Sequence, residues 1–254
     1  MPIRNILPKR IKAPLWGDRE RWGLTPVPQD DCWEEWESTY TDFYQENQRE
    51  GIGTQVNDAG YKVMSSIDLA GKRVLEIGAG DIRHMKFWRG EPAEYLLADI
   101  STDMMDFAKK CIEARGIAYR TLPVARNQPL ALEDASVDVI VSFYSLEHLY
   151  PLRPYLDEFN RLLKPGGCLI GAIPAEGGLA WGGGLLTSRR WFKKNTIIDP
   201  DKIICWEHPN FADQILDELD QVFTRESVQH WPLPWLPLVD ANLIIRLLYR
   251  KAAE

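Results

Sequence analysis

VLEIGAGD, residues Val74–Asp81, reads as an apolar strand, an acid, and then two glycines one residue apart. Glycines at a strand-to-helix turn let backbone N–H groups approach a ligand closely, and a helix N-terminus favours negative groups. The next strand ends at Asp99, about 20 residues after the first glycine, where a carboxylate accepts hydrogen bonds from a ribose diol. Together these features point to an adenosine-type cofactor. A nicotinamide dinucleotide site needs a third small residue in its G-x-G-x-x-G turn, and Arg83 stands there instead. Glu76, two residues before Gly78, suits a ligand with a positive amino end better than a pyrophosphate.

Around this turn, short β-branched runs alternate with helical periodicity, the pattern of a parallel sheet with helices on both faces. Five strands are predicted at Arg73–Ile77, Tyr95–Ala98, Ala118–Leu122, Val137–Phe143 and Cys168–Ile173, with two later ones near Ser227–Trp231 and Asn242–Tyr249 closing the sheet. VDVIVSFY is almost wholly apolar, as a central strand buried on both faces must be. One helix starts at Ser101 or Thr102 and stops at Gly116. A second follows Pro151 and ends at Lys164–Gly167, and a third begins at Pro209 or Asn210. GGLAWGGG, residues Gly177–Gly184, reads as a flexible loop.

The 254 residues suffice for one elaborated domain. Residues 71–254 form its body, residues 1–70 an N-terminal extension and cap, and residues 175–208 a loop-rich insertion over the acceptor. Thirty basic against 37 acidic residues give a net charge of −7, so no broad field attracts nucleic acid or an anionic membrane. Only a local basic patch would do so. The N-terminus, MPIRNILPKRIKAP, has no continuous apolar run and reads as a loose basic arm rather than a secretory signal. No apolar run reaches the ~20 residues of a membrane-crossing helix. Cys32, Cys111, Cys168 and Cys205 form no C-x-x-C pair and read as reduced core thiols of a cytoplasmic protein.

VLEIGAGD, LLADIS (Leu96–Ser101), EDASVDVIVSFYSLEHL (Glu133–Leu149) and RLLKPGGCLIGAIP (Arg161–Pro174) together, in this order and spacing, resemble the class I S-adenosylmethionine-dependent methyltransferases. The resemblance covers roughly Gly71–Pro174. It implies a Rossmann-like, doubly wound, seven-stranded sheet with only the last strand antiparallel, and S-adenosylmethionine lying across the carboxyl edges of the first four strands. By the family pattern Gly78, Ala79 and Gly80 pass under the methionine part, Glu76 anchors its amino end, Asp99 holds the ribose, and Ile100 and Met104 sandwich adenine. Phe143 and Asn127 complete the expected cofactor contacts. Many relatives have a third glycine at the position of Ile82, and many place an acid near Arg126 or Asn127. Arg126 cannot accept the adenine amino group, whereas Asn127 can.

Methyl transfer is an in-line displacement that mainly needs donor and acceptor aligned and water excluded, with a base only where the acceptor holds its proton. His148, in the turn after the fourth strand, and His208, in WEHPN, are the candidate bases. A metal-assisted branch of the family uses E-x-x-E-H in that turn. Here Tyr144 replaces the first carboxylate, so no metal is expected. Tyr40, Tyr44, Gln48 and Arg189 are candidate contacts for a saccharide-like or aromatic small-molecule acceptor methylated on O or N. Two alternatives stand beside this. One is a protein or RNA acceptor met by the basic cluster Arg189, Arg190, Lys193 and Lys194, and the other is a non-catalytic partner subunit with the same fold.

Overall fold

The computed structural model describes residues 2–48, 51–100, 102–124, 128–195 and 198–253, without the side chains of 40–48, 51–52, 102–104, 123, 187–188 and 190–195. The first five strands are β1 (Arg73–Ile77), β2 (Glu94–Asp99), β3 (Tyr119–Pro123), β4 (Val137–Phe143) and β5 (Leu163–Pro174), followed by β6 (Thr224–Trp231) and β7 (Ile244–Arg250). They form one sheet in the order β3-β2-β1-β4-β5-β7-β6. β1 to β5 run parallel, and β7 is antiparallel to both β5 and β6. The chain order reverses between β1 and β4, so the carboxyl ends of those strands open the crevice where open α/β sheets bind ligands.

Side chains alternate between the two faces with period 2. Leu75, Leu96, Ile140 and Leu169 enter one core cluster, while Val74, Leu97, Val139, Val141 and Ile170 enter the other. On the first face lie α6 (Leu152–Leu162), burying Leu152, Leu156, Phe159 and Leu162, and α9 (Ala212–Val222), burying Ile215, Leu216 and Leu219. On the second lies α5 (Thr102–Glu113), whose Ala108 and Ile112 meet Met64 and Leu69. Both faces are covered because the central strands have apolar residues at nearly every position.

Three segments differ from expectation. β5 starts at Leu163, not Cys168; the Lys164–Gly167 stretch is a bulge, with the β4 register jumping between Val137 and Val139 and Gly166 at φ +73°. The Gly177–Gly184 stretch is not a loop. From Leu179 it is helical, giving α7 (Leu179–Asn195), and Pro200 opens α8 (Pro200–Glu207), so the insertion is built of helices. Gly182 serves close approach: a Cβ there would stand 2.8 Å from Trp16 Nε1 and 3.2 Å from Leu15 Cβ.

The N-terminal arm is not loose either. Arg4 is buried and paired with both oxygens of Asp213 at 2.6 and 2.7 Å. After it come α1 (Lys9–Trp16), α2 (Arg19–Trp22), α3 (Asp31–Gln48) and α4 (Gly51–Tyr61). Trp16 Nε1 donates to Gly178 O, Trp206 Nε1 donates to Trp22 O, and Cys32 and Trp36 pack with Ile198 and Ile203. Trp16, Trp36 and Trp206 thus fasten the N-terminal helices to the insertion. Among the described residues, no helix is long and apolar enough to cross a membrane.

Candidate active site

At the carboxyl end of β1, Gly78 (φ +70°) and Gly80 (φ +52°) both adopt left-handed backbone. Gly78 is doubly constrained, because a Cβ there would also stand 2.8 Å from Ser145 Cβ. Ser145 is itself fixed by Ser142 Oγ at 2.6 Å and by donating to Ile77 O at 2.9 Å. Ala79 is buried under the turn. The Gly80 N–H points at Asp99 Oδ2, 3.4 Å away, so the β2 carboxylate stands beside the glycine turn. Next to it Ile100 keeps 67% of its surface exposed, an apolar side chain on the ligand edge with little to cover it. A glycine turn with its one methyl group turned inward, a carboxylate beside it and an uncovered apolar residue fit an adenosine-type ligand. Met104 is on α5 with its side chain outside the described residues, and Asn127 lies outside them entirely.

Glu76 departs from its expected role. It is 1% exposed, and each oxygen already has an internal donor: Tyr95 Oη at 2.6 Å and His84 Nε2 at 2.8 Å. Trp88 Nε1, which can only donate, gives its hydrogen to His84 Nδ1 at 3.0 Å, so the imidazole proton sits on Nε2 facing Glu76. The indole stacks on Tyr95 at 5.0 Å, and burial next to the Glu76 charge pushes the Tyr95 phenol well above its usual range. Phe143 also belongs to this packing, stacked on His84 at 4.8 Å and edge-on to Tyr61 at 5.0 Å. Glu76 and Phe143 therefore brace the floor beneath the glycine turn, with neither turned to a ligand. The alternation does hold a trace of this: Val74 and Glu76 share a face with Tyr95 and Leu97 across β1 and β2, and a carboxylate on that face demands donors.

The candidate bases come together. The His148 and His208 rings lie edge to face, 4.8 Å apart, each backed by a carboxylate. His148 Nδ1 donates to Glu207 O at 2.6 Å and faces Glu207 Oε2 at 3.1 Å. Burial opposes its charge, but Glu207 and the nearby Glu147 outweigh that and push its pKa up to about 9. Glu207 shows the reverse: burial would raise it, yet His148 and the Trp36 indole hold it below the usual range. His208 Nδ1 meets Glu176 Oε2 at 3.1 Å. Since a carboxylate only accepts, this bond leaves Nε2 as the proton-accepting atom of the neutral ring.

Two buried oxygens in this cluster have no hydrogen-bond partner among the described residues, Glu147 Oε2 and Glu176 Oε1, on residues 2% and 0% exposed. Burial pushes the Glu147 pKa up. Unpartnered buried carboxylate oxygens are rare, and here two occur beside two candidate bases.

Four distant segments hold this cluster in place. Asn210 Nδ2 donates to Leu146 O and Leu149 O at 3.0 and 2.7 Å, stapling the WEHPN loop onto the β4 turn. From the N-terminal helices, Arg19 donates to His208 O and Pro209 O, both at 2.6 Å, with its guanidinium 3.4 Å from the centre of the Phe211 ring. Burial brings the Arg19 pKa down to about 10, against the pull of Glu176, so it stays charged at neutral pH. Sequence reasoning missed Arg19, Trp36, Glu147, Glu176 and Glu207 as parts of the site. Glu176, two residues past the end of β5 on the carboxyl edge, had a readable position; Arg19 and Trp36 had none.

The expected acceptor contacts fare differently. Arg189 is drawn inward, pairing with Asp201 at 2.5 Å and donating to Ala13 O at 3.1 Å, because α1 packs against both α7 and α8. Tyr40, Tyr44 and Gln48 fall on the last turns of α3, with side chains outside the described residues. Tyr144, at φ +54°, donates its hydroxyl to Asn57 O at 3.0 Å, and burial pushes its pKa well above the usual value. Among the described residues, no three His, Cys, Asp or Glu side chains are grouped to hold a metal ion.

A family model described as a methyltransferase domain matches residues 75–171, the span from β1 to β5 that carries the glycine turn, Asp99 and the β4 turn. Over that span the chain is similar to methyltransferase domains, and the seven-stranded Rossmann-like sheet is the fold of methyltransferases of known structure. Curated relatives of the chain include a probable S-adenosylmethionine-dependent methyltransferase of Mycolicibacterium smegmatis, 31% identical over 41% of this chain and 39% of that one. A demethylmenaquinone methyltransferase of Thermus thermophilus is 31% identical over 41% of this chain and 48% of that one. The chain thus spans less than half the length of these relatives. Among solved structures, the N-methyltransferase NodS of Bradyrhizobium japonicum, in complex with S-adenosylhomocysteine, is similar in fold at a TM-score of 0.57, with 17% identity over 87% of this chain and 99% of that one.

Within the methyltransferase core the main local departure is Ile82, in left-handed conformation at φ +43°, ψ +36°. A β-branched residue there carries about 1–3 kcal/mol of strain. The segment after it forms only a short 3₁₀ turn, Arg83–Phe87, which places His84 over Glu76.

Proposed function

We propose that this chain is a methyltransferase that uses S-adenosylmethionine to methylate an oxygen or nitrogen atom of a small-molecule acceptor. The observation that carries this reading is the pair of carboxylate-backed histidines on the same sheet edge as the glycine turn and Asp99. The bound cofactor supplies an electrophilic methyl group on a sulfonium. The Gly78–Gly80 turn and Asp99 hold it, Asp99 through the ribose hydroxyls and Ile100 against the adenine. At the acceptor side the two histidines divide the work. His148 is held as an imidazolium at neutral pH and has no proton-accepting nitrogen, whereas the Nδ1–Glu176 bond of His208 leaves its Nε2 to take the acceptor's proton. Arg19 and Asn210 fix the loop that carries it, and the N-terminal helices exclude water from this edge. Demethylmenaquinone and ubiquinone/menaquinone C-methyltransferases among the relatives carry carbon-directed names, and a ring carbon that loses a proton would use the same base.

The test is titration calorimetry with S-adenosylmethionine and S-adenosylhomocysteine, NAD serving as the negative control. Both adenosyl ligands should bind and NAD should not. Asp99→Ala should weaken binding by about 1.5–3 kcal/mol, the range for a hydrogen bond involving a charged group. Unchanged affinity in that variant would remove Asp99 from the ribose site.

A further inference from the structure

Glu176 is wholly buried, and among the described residues its carboxylate has a single hydrogen-bond partner: Oε2 meets His208 Nδ1 at 3.1 Å, while Oε1 meets nothing. A buried carboxylate supports a fold when donors satisfy it, and one left half-satisfied costs stability. Glu76 in β1 shows the first case, with a donor on each oxygen. Glu176 shows the second, and its one contact is the ring of the candidate base.

The backbone around this contact is fixed from several sides. Glu176 O accepts from Ala212 N at 3.0 Å, which ties it to the start of α9. Arg19 of α2 donates to His208 O and Pro209 O with its guanidinium over the Phe211 ring. Arg4 lies 4.2 Å from the centre of the same ring and pairs with Asp213 in the first turn of α9. Gly177, next to Glu176, lets these groups close up: at φ +85°, a Cβ there would stand 2.8 Å from Phe211 Cδ1 and 2.9 Å from Arg4 Nη1. Glu176 is also the charge that acts most strongly on Arg19, so the N-terminal segment brings a cation to this carboxylate.

We propose that Glu176 is the positioning residue of the base, fixing the neutral His208 ring with its proton on Nδ1, and that Arg19 keeps ring and carboxylate in register. The inference rests on the reading of His208 as the base. A neutral imidazole side chain in water favours the proton on Nε2, the form in which Nε2 cannot accept. A carboxylate only accepts, so its bond selects the opposite form. When the acceptor's proton moves to Nε2, the imidazolium keeps its Nδ1 hydrogen on Glu176, whose negative charge stabilises the new positive one.

The experiment is nitrogen-15 NMR of the full chain labelled on histidine, followed across pH so that the neutral rings are sampled. The chain has four histidines, His84, His148, His208 and His230, and the His208 signals are those lost in His208→Gln. In the wild type the neutral His208 ring should show a protonated Nδ1 and a bare Nε2. His84, whose Nδ1 accepts from Trp88, should show the reverse in the same spectrum. Glu176→Gln, whose amide can donate, should lower the ratio of the Nδ1-protonated to the Nε2-protonated form about tenfold or more, the scale of a hydrogen bond to a charged group, and leave His84 unchanged. Arg19→Gln should move the ratio the same way by less. Calorimetric affinity for S-adenosylhomocysteine should be the same in these variants as in the wild type. A wild-type His208 ring protonated on Nε2 overturns the proposal and needs no variant to fold. So does an unchanged His208 ratio in Glu176→Gln, or weaker cofactor binding by that variant, which would make Glu176 a cofactor contact. An unchanged ratio in Arg19→Gln removes Arg19 from the arrangement. A wild type that binds no S-adenosylhomocysteine fails the methyltransferase reading instead, while its His208 tautomer still decides this proposal.

Discussion

The two carboxylate-bearing turns on the sheet's carboxyl edge are built in opposite ways. Under the β1 turn, both Glu76 oxygens have donors and the chain of partners closes through His84 and Trp88. Around the β4 turn, Glu147 and Glu176 each keep one buried oxygen unpartnered. A satisfied buried network rigidifies its surroundings, whereas each unsatisfied buried group costs about 1–3 kcal/mol. The first turn therefore rests on a rigid, satisfied floor, while the second keeps buried carboxylate oxygens at a cost in stability, which is what the proposed division between cofactor site and base requires.

The largest expected effect lies on the second side. His208→Ala should lower turnover by about 10²- to 10⁴-fold, the usual contribution of a general base, with cofactor affinity nearly unchanged. His148→Ala removes an imidazolium rather than a base and should act less on turnover. Equal losses in the two variants would break the division of labour between the rings.

Next comes a direct contrast between the two turns in urea unfolding. Tyr95→Phe or Glu76→Gln should cost about 1–3 kcal/mol, because each leaves a buried donor or acceptor facing nothing suitable. Glu147→Gln should cost little or stabilise, since the amide replaces a buried carboxyl group that has an unpartnered oxygen and whose charge burial disfavours. Similar losses at Glu76 and Glu147 would mean that the two sites do not differ as described.

How much of this was readable in the sequence follows from the distance over which each feature is assembled. The sheet was legible because every strand carries its own periodicity, and Gly78, Gly80 and Asp99 were legible because a turn and a strand end fix their place. The floor under the turn was not, since Glu76 looks like a ligand contact until Tyr95 and His84 are placed on its face. Glycines misled at Gly177–Gly184: local flexibility and close helix packing ask for the same residue, and only Trp16 across the interface separates them. Arg19 and Trp36, more than 150 residues from the loop they hold, left no local trace.

A smaller effect should appear in stability against pH. His148 has its folded pKa raised from 6.5 to about 9, so its protonation favours the native state. That stabilisation is fully present below about pH 6.5 and is lost as pH rises through about 9. The urea midpoint should fall across this window in the wild type and stay flatter in His148→Gln. A wild-type midpoint that is level or rising between these values would remove the Glu207 pairing as the source of the shift.

The smallest expected effect is none, and it concerns metal. The metal-assisted enzymes need a carboxylate where Tyr144 stands, and this phenol is committed elsewhere: it donates to Asn57 O, and burial holds its pKa well above the usual value, so no phenolate is offered at neutral pH. The nearby carboxylates are spoken for in part by the histidines, Glu207 by His148 and Glu176 by His208. Turnover should therefore be the same in EDTA and after adding magnesium or manganese. The sharper version substitutes Tyr144→Glu, which restores the E-x-x-E-H pattern. If that variant gains a chelator-sensitive rate while the wild type has none, Tyr144 is what keeps the β4 turn free of metal. A wild-type rate lost in EDTA and restored by either ion would instead give the unpartnered oxygens of Glu147 and Glu176 a cation to hold, and would make both histidines ligands rather than a base and its neighbour.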